Sequence, residues 1–285
     1  MVKTKTITKK KIGRIGLIGL IGLIGLLFSG CEVIPEDKQL IPLPNAEPVS
    51  NALLVEFTGF LCVNCPTAAQ EAARLQAKYP DNLVVVAMHP EDNHFTQTGI
   101  KEYDYTCPEA NVYYRHFGGS GTTPFPTGIV DMNGVWLDYP SWTTAVLTSI
   151  MQEKTGYVNL TVTDVDATHR SFDVSAAVWA SDDARLLLWL VADSVHGAQM
   201  MPDGSTNLAY THRHMLRASI TDDPWGMAFT FDAESDTIHT RALNYVVTDT
   251  VGTQVLPLTD YRIVAVLYDE ENETILDVQQ KQITD

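Results

Sequence analysis

From residue 51 to residue 154 the pattern of apolar and polar positions switches repeatedly between two periods. Residues 53–57 form a short apolar run, residues 66–79 carry alanine and leucine at helical spacing, and residues 83–88 are continuously apolar. A run of that last kind suits a strand covered on both faces. Proline at position 66 suits the first turn of a helix, where no amide is needed. A polar stretch, 89–123, follows, with a helix predicted around 109–117. Residues 127–131 and 135–139 flank Asn133-Gly134, a tight-turn signal that predicts a hairpin. Ser141, near an N-cap, opens a last helix over 141–153. The predicted order is β-α-β-α-β-β-α.

Beyond residue 155 helical spacing disappears. Val158, Leu160 and Val162 alternate with polar residues, as do Phe172, Val174, Ala176 and Val178. Further runs at 185–192, 215–220, 228–231, 242–247, 262–268 and 274–279 bring the predicted strands to eight. Short strands joined by Asp, Gly, Asn and Pro turns predict an antiparallel, immunoglobulin-like β-sandwich. The expected architecture is an α/β domain over 51–154, with an insertion at 89–123, followed by the sandwich over 155–285.

The first thirty residues read as an address. Six basic residues between Lys3 and Arg14 precede an apolar run at 15–28, shorter than the roughly 20 residues a spanning helix needs. This suits a secretion signal over 1–30. Its end, Leu27-Phe28-Ser29-Gly30-Cys31, resembles the lipobox of bacterial lipoproteins, which implies acylation of Cys31 and a membrane anchor through it. Residues 31–50, with Pro35, Pro42, Pro44 and Pro48, are then the lipidated N-terminus and its tether. Taking six basic residues from the total of 19 leaves 13 against 35 acidic ones, a balance of −22. Nucleic acid and anionic surfaces are poor partners for such a chain.

An anchored, exported chain lies where disulfides persist. With Cys31 taken by lipid, one close pair, Cys62 and Cys65, and one odd thiol, Cys107, remain. The pair sits where the first apolar run gives way to the first helix. The positive end of a helix favours thiolate, the reactive form, so the spacing predicts a dithiol that opens and closes a disulfide. A structural disulfide and a metal site are the competing readings. Zinc needs two further ligands, and Cys107, His89, His94 and His116 lack the spacing to supply them. The expectation is no metal and no cofactor. Cys107 is either an idle thiol or a second redox partner.

Three more features accompany the pair: Glu56 six residues before Cys62, the run Pro124-Phe125-Pro126-Thr127 directly before the third strand, and the hairpin and helix after it. Together these resemble the thioredoxin fold over residues 51–154. The resemblance implies Cys62 as attacking thiol, Cys65 as resolving thiol, Glu56 as proton relay and Pro126 as a cis-proline facing the disulfide. It also implies that Phe125 and Thr127 frame the substrate groove. Thr58, Gly59, Phe60 and Leu61 stand where thioredoxins usually carry tryptophan, and Val63-Asn64 replaces Gly-Pro between the cysteines.

Over the mature chain, Phe57-Thr58-Gly59 with Cys62, Asn64, Cys65 and Pro66, followed by the string from Tyr210 to Arg217 and by Pro224-Trp225-Gly226, resembles a family of Bacteroidota lipoproteins. That family is named after a 28-kilodalton outer-membrane protein. The resemblance implies an outer-membrane location, periplasmic or surface-facing, and a thioredoxin-like domain joined to a β-sandwich. The expected activity is thiol–disulfide exchange on exported proteins or peptides; the rival is a binding or adhesion lipoprotein with an inert disulfide. His212 and His214, two apart, would share one face of a strand and permit a metal site with His196 or His239, although strand histidines are more often surface residues.

Overall fold

A computed structural model describes residues 47–221, 223–231 and 236–284. Cys31, the leader and most of the tether lie outside the described residues. In chain order the elements are β1 (Ala52–Phe57), α1 (Cys65–Lys78), β2 (Leu83–Met88), α2 (Pro108–His116), β3 (Thr127–Val130) and α3 (Trp142–Ile150). There follow β4 (Gly156–Asp166), β5 (Ser171–Ala180), β6 (Ala184–Ala192), β7 (Val195–Met200), β8 (Thr206–His212), β9 (Met215–Ser219) and β10 (Met227–Phe229). The last three are β11 (His239–Val246), β12 (Tyr261–Asp269) and β13 (Thr274–Gln282). The fold is mixed α/β, with most of its regular structure in strands.

Local sequence explains the helices. Pro66 sits in the first turn of α1, and the helix ends at Tyr79, directly before Pro80. Ala68, Ala72 and Leu75, four and three residues apart, turn one stripe of α1 inward. α3 buries Trp142, Val146 and Ile150, each four residues from the next. Gly128 on β3 lets the Trp142 indole lie close, since a Cβ there would stand 2.8 Å from Nε1.

The sheet does not stop at residue 155. Its strands run β13-β12-β6-β9-β2-β1-β3, with β10 added beside β6. β1 and β2 are parallel, β3 is antiparallel to β1, and β9 joins β2 through the single register pair Ala87↔Met215. The Ala87 amide donates to His214 O at 2.6 Å at this seam. Strands from both halves of the chain therefore share one sheet, and the described residues form one compact unit. A second sheet, β11-β5-β4, packs through Phe172, Val174 and Val178 on Leu186, Leu188 and Ile263 of the large sheet.

The two faces of the large sheet are covered differently. On one, α1 and α3 cover Leu54, Val85 and Val130 of the first-half strands. On the other, Ala110, Tyr113 and Tyr114 of α2 lie over Val55 and Val86 and also over Trp189 and Val264. The polar stretch 89–123 thus supplies the helix that spans both halves. β6 and β12 are buried on both faces, which is why they read as unbroken apolar runs.

One predicted feature comes out differently, and a second feature is one that was not predicted. The 127–139 hairpin shrinks to β3 and one bridge, Gly128↔Leu137. Asp131 causes this: at positive φ, it binds the Leu53 amide through Oδ1 at 2.9 Å and Lys154 Nζ at 3.0 Å. The chain is pinned before Asn133-Gly134 can make a two-residue turn. The second is the hairpin of β7 and β8, which the apolar pattern did not predict.

Candidate functional site

β1 delivers the chain to the mouth of α1. Thr58 N donates to Met88 O at 3.0 Å, and Cys62 N donates to Gly59 O at 3.0 Å, turning the loop back toward the helix. Gly59 is required here, because a Cβ would stand 2.5 Å from Phe95 O. Cys65 is the first residue of α1, so Cys62 precedes the helix by one turn. The two cysteines are disulfide-bonded, with Cα atoms 5.4 Å apart.

Both cysteines are buried, at 1% and 2% exposure. Val63 is half-buried and Asn64 exposed, so the loop between the cysteines reaches the surface while the cysteines do not. The β7–β8 hairpin is hydrogen-bonded to the loop that carries them. Gln199 Nε2 donates to Cys62 O at 3.0 Å, and Met200 N donates to Phe60 O at 2.8 Å. Tyr105 holds the hairpin from beneath: its hydroxyl accepts the Ala198 amide at 2.8 Å, and its ring lies 4.7 Å from that of His212. Burial pulls the His212 imidazole down to about 4, so it is neutral near pH 7, with Nε2 3.2 Å from Ala198 O.

The Phe125–Pro126 peptide is cis. Phe125 and Thr127 are both buried: Phe125 packs in the same apolar cluster as the cysteines, and Thr127 Oγ1 donates to Leu137 O at 3.2 Å. Pro126 itself is half-buried. Glu56 stands on β1 between Ala87 of β2 and Gly128 of β3 and is 3% exposed. Its Oε1 has no hydrogen-bond partner. Burial pushes the carboxyl from its ordinary 4.5 up to about 8. It lines a cavity of about 310 Å³ between Ala69 and Ala73 of α1 and Tyr210, Thr211 and Arg213 at the end of β8.

The string from Tyr210 to Arg217 also locks the two halves together. Arg217 is paired with Asp249 through two hydrogen bonds at 3.0 Å and caps Tyr105 O at 2.8 Å. His214 faces Asp193 and Arg262, and Arg262 Nη2 donates to Val85 O at 2.9 Å. His212 and His214 therefore do not share a face: β8 ends at His212, and His214 takes a positive φ in the turn to β9. Among the described residues no group of three His, Cys, Asp or Glu side chains is arranged for a metal. Cys107 is a buried free thiol, pushed up to about 12 by its apolar surroundings.

Sequence reasoning missed Gln199, Met200 and Tyr105. None carries a motif: the folded hairpin brings Gln199 and Met200 against the loop of the disulfide, and Tyr105 supports the hairpin from beneath.

The family model described as "Outer membrane protein Omp28" matches residues 110–285. The chain belongs to the Omp28 family. It is accordingly an outer membrane protein, and among its described residues no helix is long and apolar enough to cross a membrane. The matched Omp28 region includes Phe125, Pro126 and Thr127 but begins after Glu56, Cys62 and Cys65. Among solved structures, HBP35 of Porphyromonas gingivalis is similar at a TM-score of 0.63 and 16% identity, over 84% of this chain and 76% of that one. Neither half of this Omp28 member makes up that share alone, so the common fold takes in both. A domain of the outer membrane lipoprotein Omp28 from Porphyromonas gingivalis is similar over 46% of this chain and 96% of that one, at 16% identity and a TM-score of 0.32. No curated protein matches the chain.

Proposed function

We propose that this Omp28-family protein carries out thiol–disulfide exchange on exported proteins or peptides, held to the outer membrane by lipid on Cys31. In this reading residues 51–154 act as a thioredoxin-like unit and the following strands as its sandwich support. Cys62 is the sulfur attacked, Cys65 the resolving sulfur, Glu56 the proton relay, and the cis Pro126 the groove element beside the pair.

The chemistry follows from the disulfide as it stands. A substrate thiolate attacks Cys62, the Cys62–Cys65 bond breaks, and Cys65 leaves as a thiolate at the head of α1, where the helix dipole stabilises it. Glu56, protonated near neutrality, has a proton to give as that thiolate forms. A second substrate thiolate then attacks the substrate sulfur of the mixed disulfide, releasing oxidised substrate and the reduced pair. Run backwards, the same steps reduce a substrate disulfide.

The observation that carries this reading is Glu56. A carboxyl buried without a partner for Oε1 is a standing cost to the fold. An inert staple has no use for one, whereas a proton relay needs it. The second reading, a binding or adhesion protein with a structural disulfide, draws support from the burial of both cysteines and from the tie of Gln199 to Cys62 O. Cys65→Ala, expressed in the native host and isolated under non-reducing conditions, separates the two. Exchange requires exported proteins trapped on Cys62; an empty Cys62 thiol supports the staple.

A further inference from the structure

The end of α2 meets the β12–β13 turn around Trp225, in the Pro224-Trp225-Gly226 string that the redox site does not use. A recess of about 220 Å³ opens there. Its walls are the rings of His116, Phe117, Trp225 and Tyr268, and Glu270 and Glu273 belong to its lining. Met132 and Ile275 complete the apolar lining. The rings form walls and not a stack: His116 and Trp225 have centroids 4.5 Å apart at 60°, and Trp225 and Tyr268 6.3 Å apart at 61°.

This wall is fixed from behind. Tyr113 packs on Trp225 edge-on at 5.0 Å and gives its hydroxyl hydrogen to Pro224 O. Trp189 Nε1 donates in turn to the Tyr113 oxygen at 2.8 Å, and Arg185 Nε donates to Trp225 O at 2.8 Å. A recess held in this way is preorganised, which lowers the ordering cost of binding.

The lining selects its ligand by chemistry. A hard divalent cation wants six or more oxygens, and here two carboxylates face aromatic walls. An anion is repelled by Glu270 and Glu273 and by a chain of net charge −16. A weakly hydrated organic cation gains from both features, since ring faces attract it and carboxylates complement it. The volume lies below the roughly 300–1,000 Å³ of pockets for drug-sized ligands, so the ligand is small. Neither carboxylate is fully engaged by the protein: Arg185 reaches Glu270 at 3.5 Å, and His116 Nε2 stands 3.6 Å from Glu273. We infer that this recess binds a small alkylammonium cation, its charged head against Trp225 and Tyr268 and flanked by Glu270 and Glu273.

The test uses the purified full chain in an amine-free phosphate buffer, with binding followed by ligand-observed NMR. Choline is the probe; its neutral isostere 3,3-dimethylbutan-1-ol and the bare ammonium ion are the controls. Choline should bind saturably at about millimolar concentration, and each control at least about five-fold more weakly. The surface double variant Glu270→Gln/Glu273→Gln, which leaves the rings in place, should weaken choline about five-fold or more, and Trp225→Leu should abolish its binding. Equal binding of the isostere would mean an apolar slot and equal binding of ammonium a mere acidic patch. Either result overturns the inference, as does undiminished choline binding by the double variant or no choline binding at all.

Discussion

Glu56→Gln is the perturbation whose consequence is most sharply fixed by the structure. The carboxyl is 3% exposed and is pushed from 4.5 up to about 8 by loss of solvent. Between those two values the folded chain keeps a proton at Glu56 that the unfolded chain has released. The folded state therefore binds more protons, and stability must fall as pH rises through this window. The contribution is fully present below pH 4.5 and lost by about pH 8. At about 1.4 kcal/mol per pH unit, the part lost between pH 5 and 8 is about 4 kcal/mol. Glutamine keeps the shape and cannot titrate, so it cancels every other group in the comparison. Urea unfolding of the oxidised protein and of Glu56→Gln at pH 5, 6, 7, 8 and 9 gives the difference directly. With a slope of about 3 kcal/mol per molar urea, the wild-type midpoint should drop by about 1.3 M relative to the variant across this range. A difference that stays flat from pH 5 to 8 would show that Glu56 ionises like an ordinary carboxyl, and the relay role would fall with it.

Three further outcomes follow from the geometry. Arg217→Ala leaves half-buried Asp249 without its guanidinium and uncaps Tyr105 O, and should cost about 3 kcal/mol in urea unfolding; a loss under about 1 kcal/mol would show that this ion pair does not lock the halves. Cys107, 2% exposed and pushed up to about 12, should resist iodoacetamide in the native protein and react in urea, read by intact mass. Rapid native labelling would contradict its burial. Gln199→Ala removes the amide that ties the hairpin to Cys62 O and should speed reduction of the disulfide by dithiothreitol about ten-fold, about one hydrogen bond's worth; an unchanged rate would show that the hairpin does not gate the sulfurs.

What could be read from the chain depended on whether its residues announce themselves by period or by position. β6 and β12 were visible because burial on both faces demands unbroken apolar runs. α1 was visible through Pro66 and the stripe of Ala68, Ala72 and Leu75. Glu56 drew notice through its offset from Cys62, and the cysteine pair through its place before a helix. β7 and β8 were silent, because a hairpin resting on Tyr105 and on hydrogen bonds needs little apolar alternation; Thr206, Asn207, Leu208 and Ala209 are all exposed. That silence had a consequence, since this hairpin is hydrogen-bonded to the loop that carries the disulfide. The join between β2 and β9 was equally hidden: a single register pair, Ala87↔Met215, leaves no pattern that either strand alone would show.

The proposed function requires that Cys62 and Cys65 exchange electrons while the protein stays folded. The direct measurement is a redox titration of the full chain in glutathione buffers, quenched by alkylation and read by mass, with circular dichroism following the fold. The pair should become reduced as a unit at a potential between about −180 and −270 mV, with the circular dichroism unchanged. A pair that stays oxidised below about −300 mV, or that reduces only once the protein unfolds, would make it a staple.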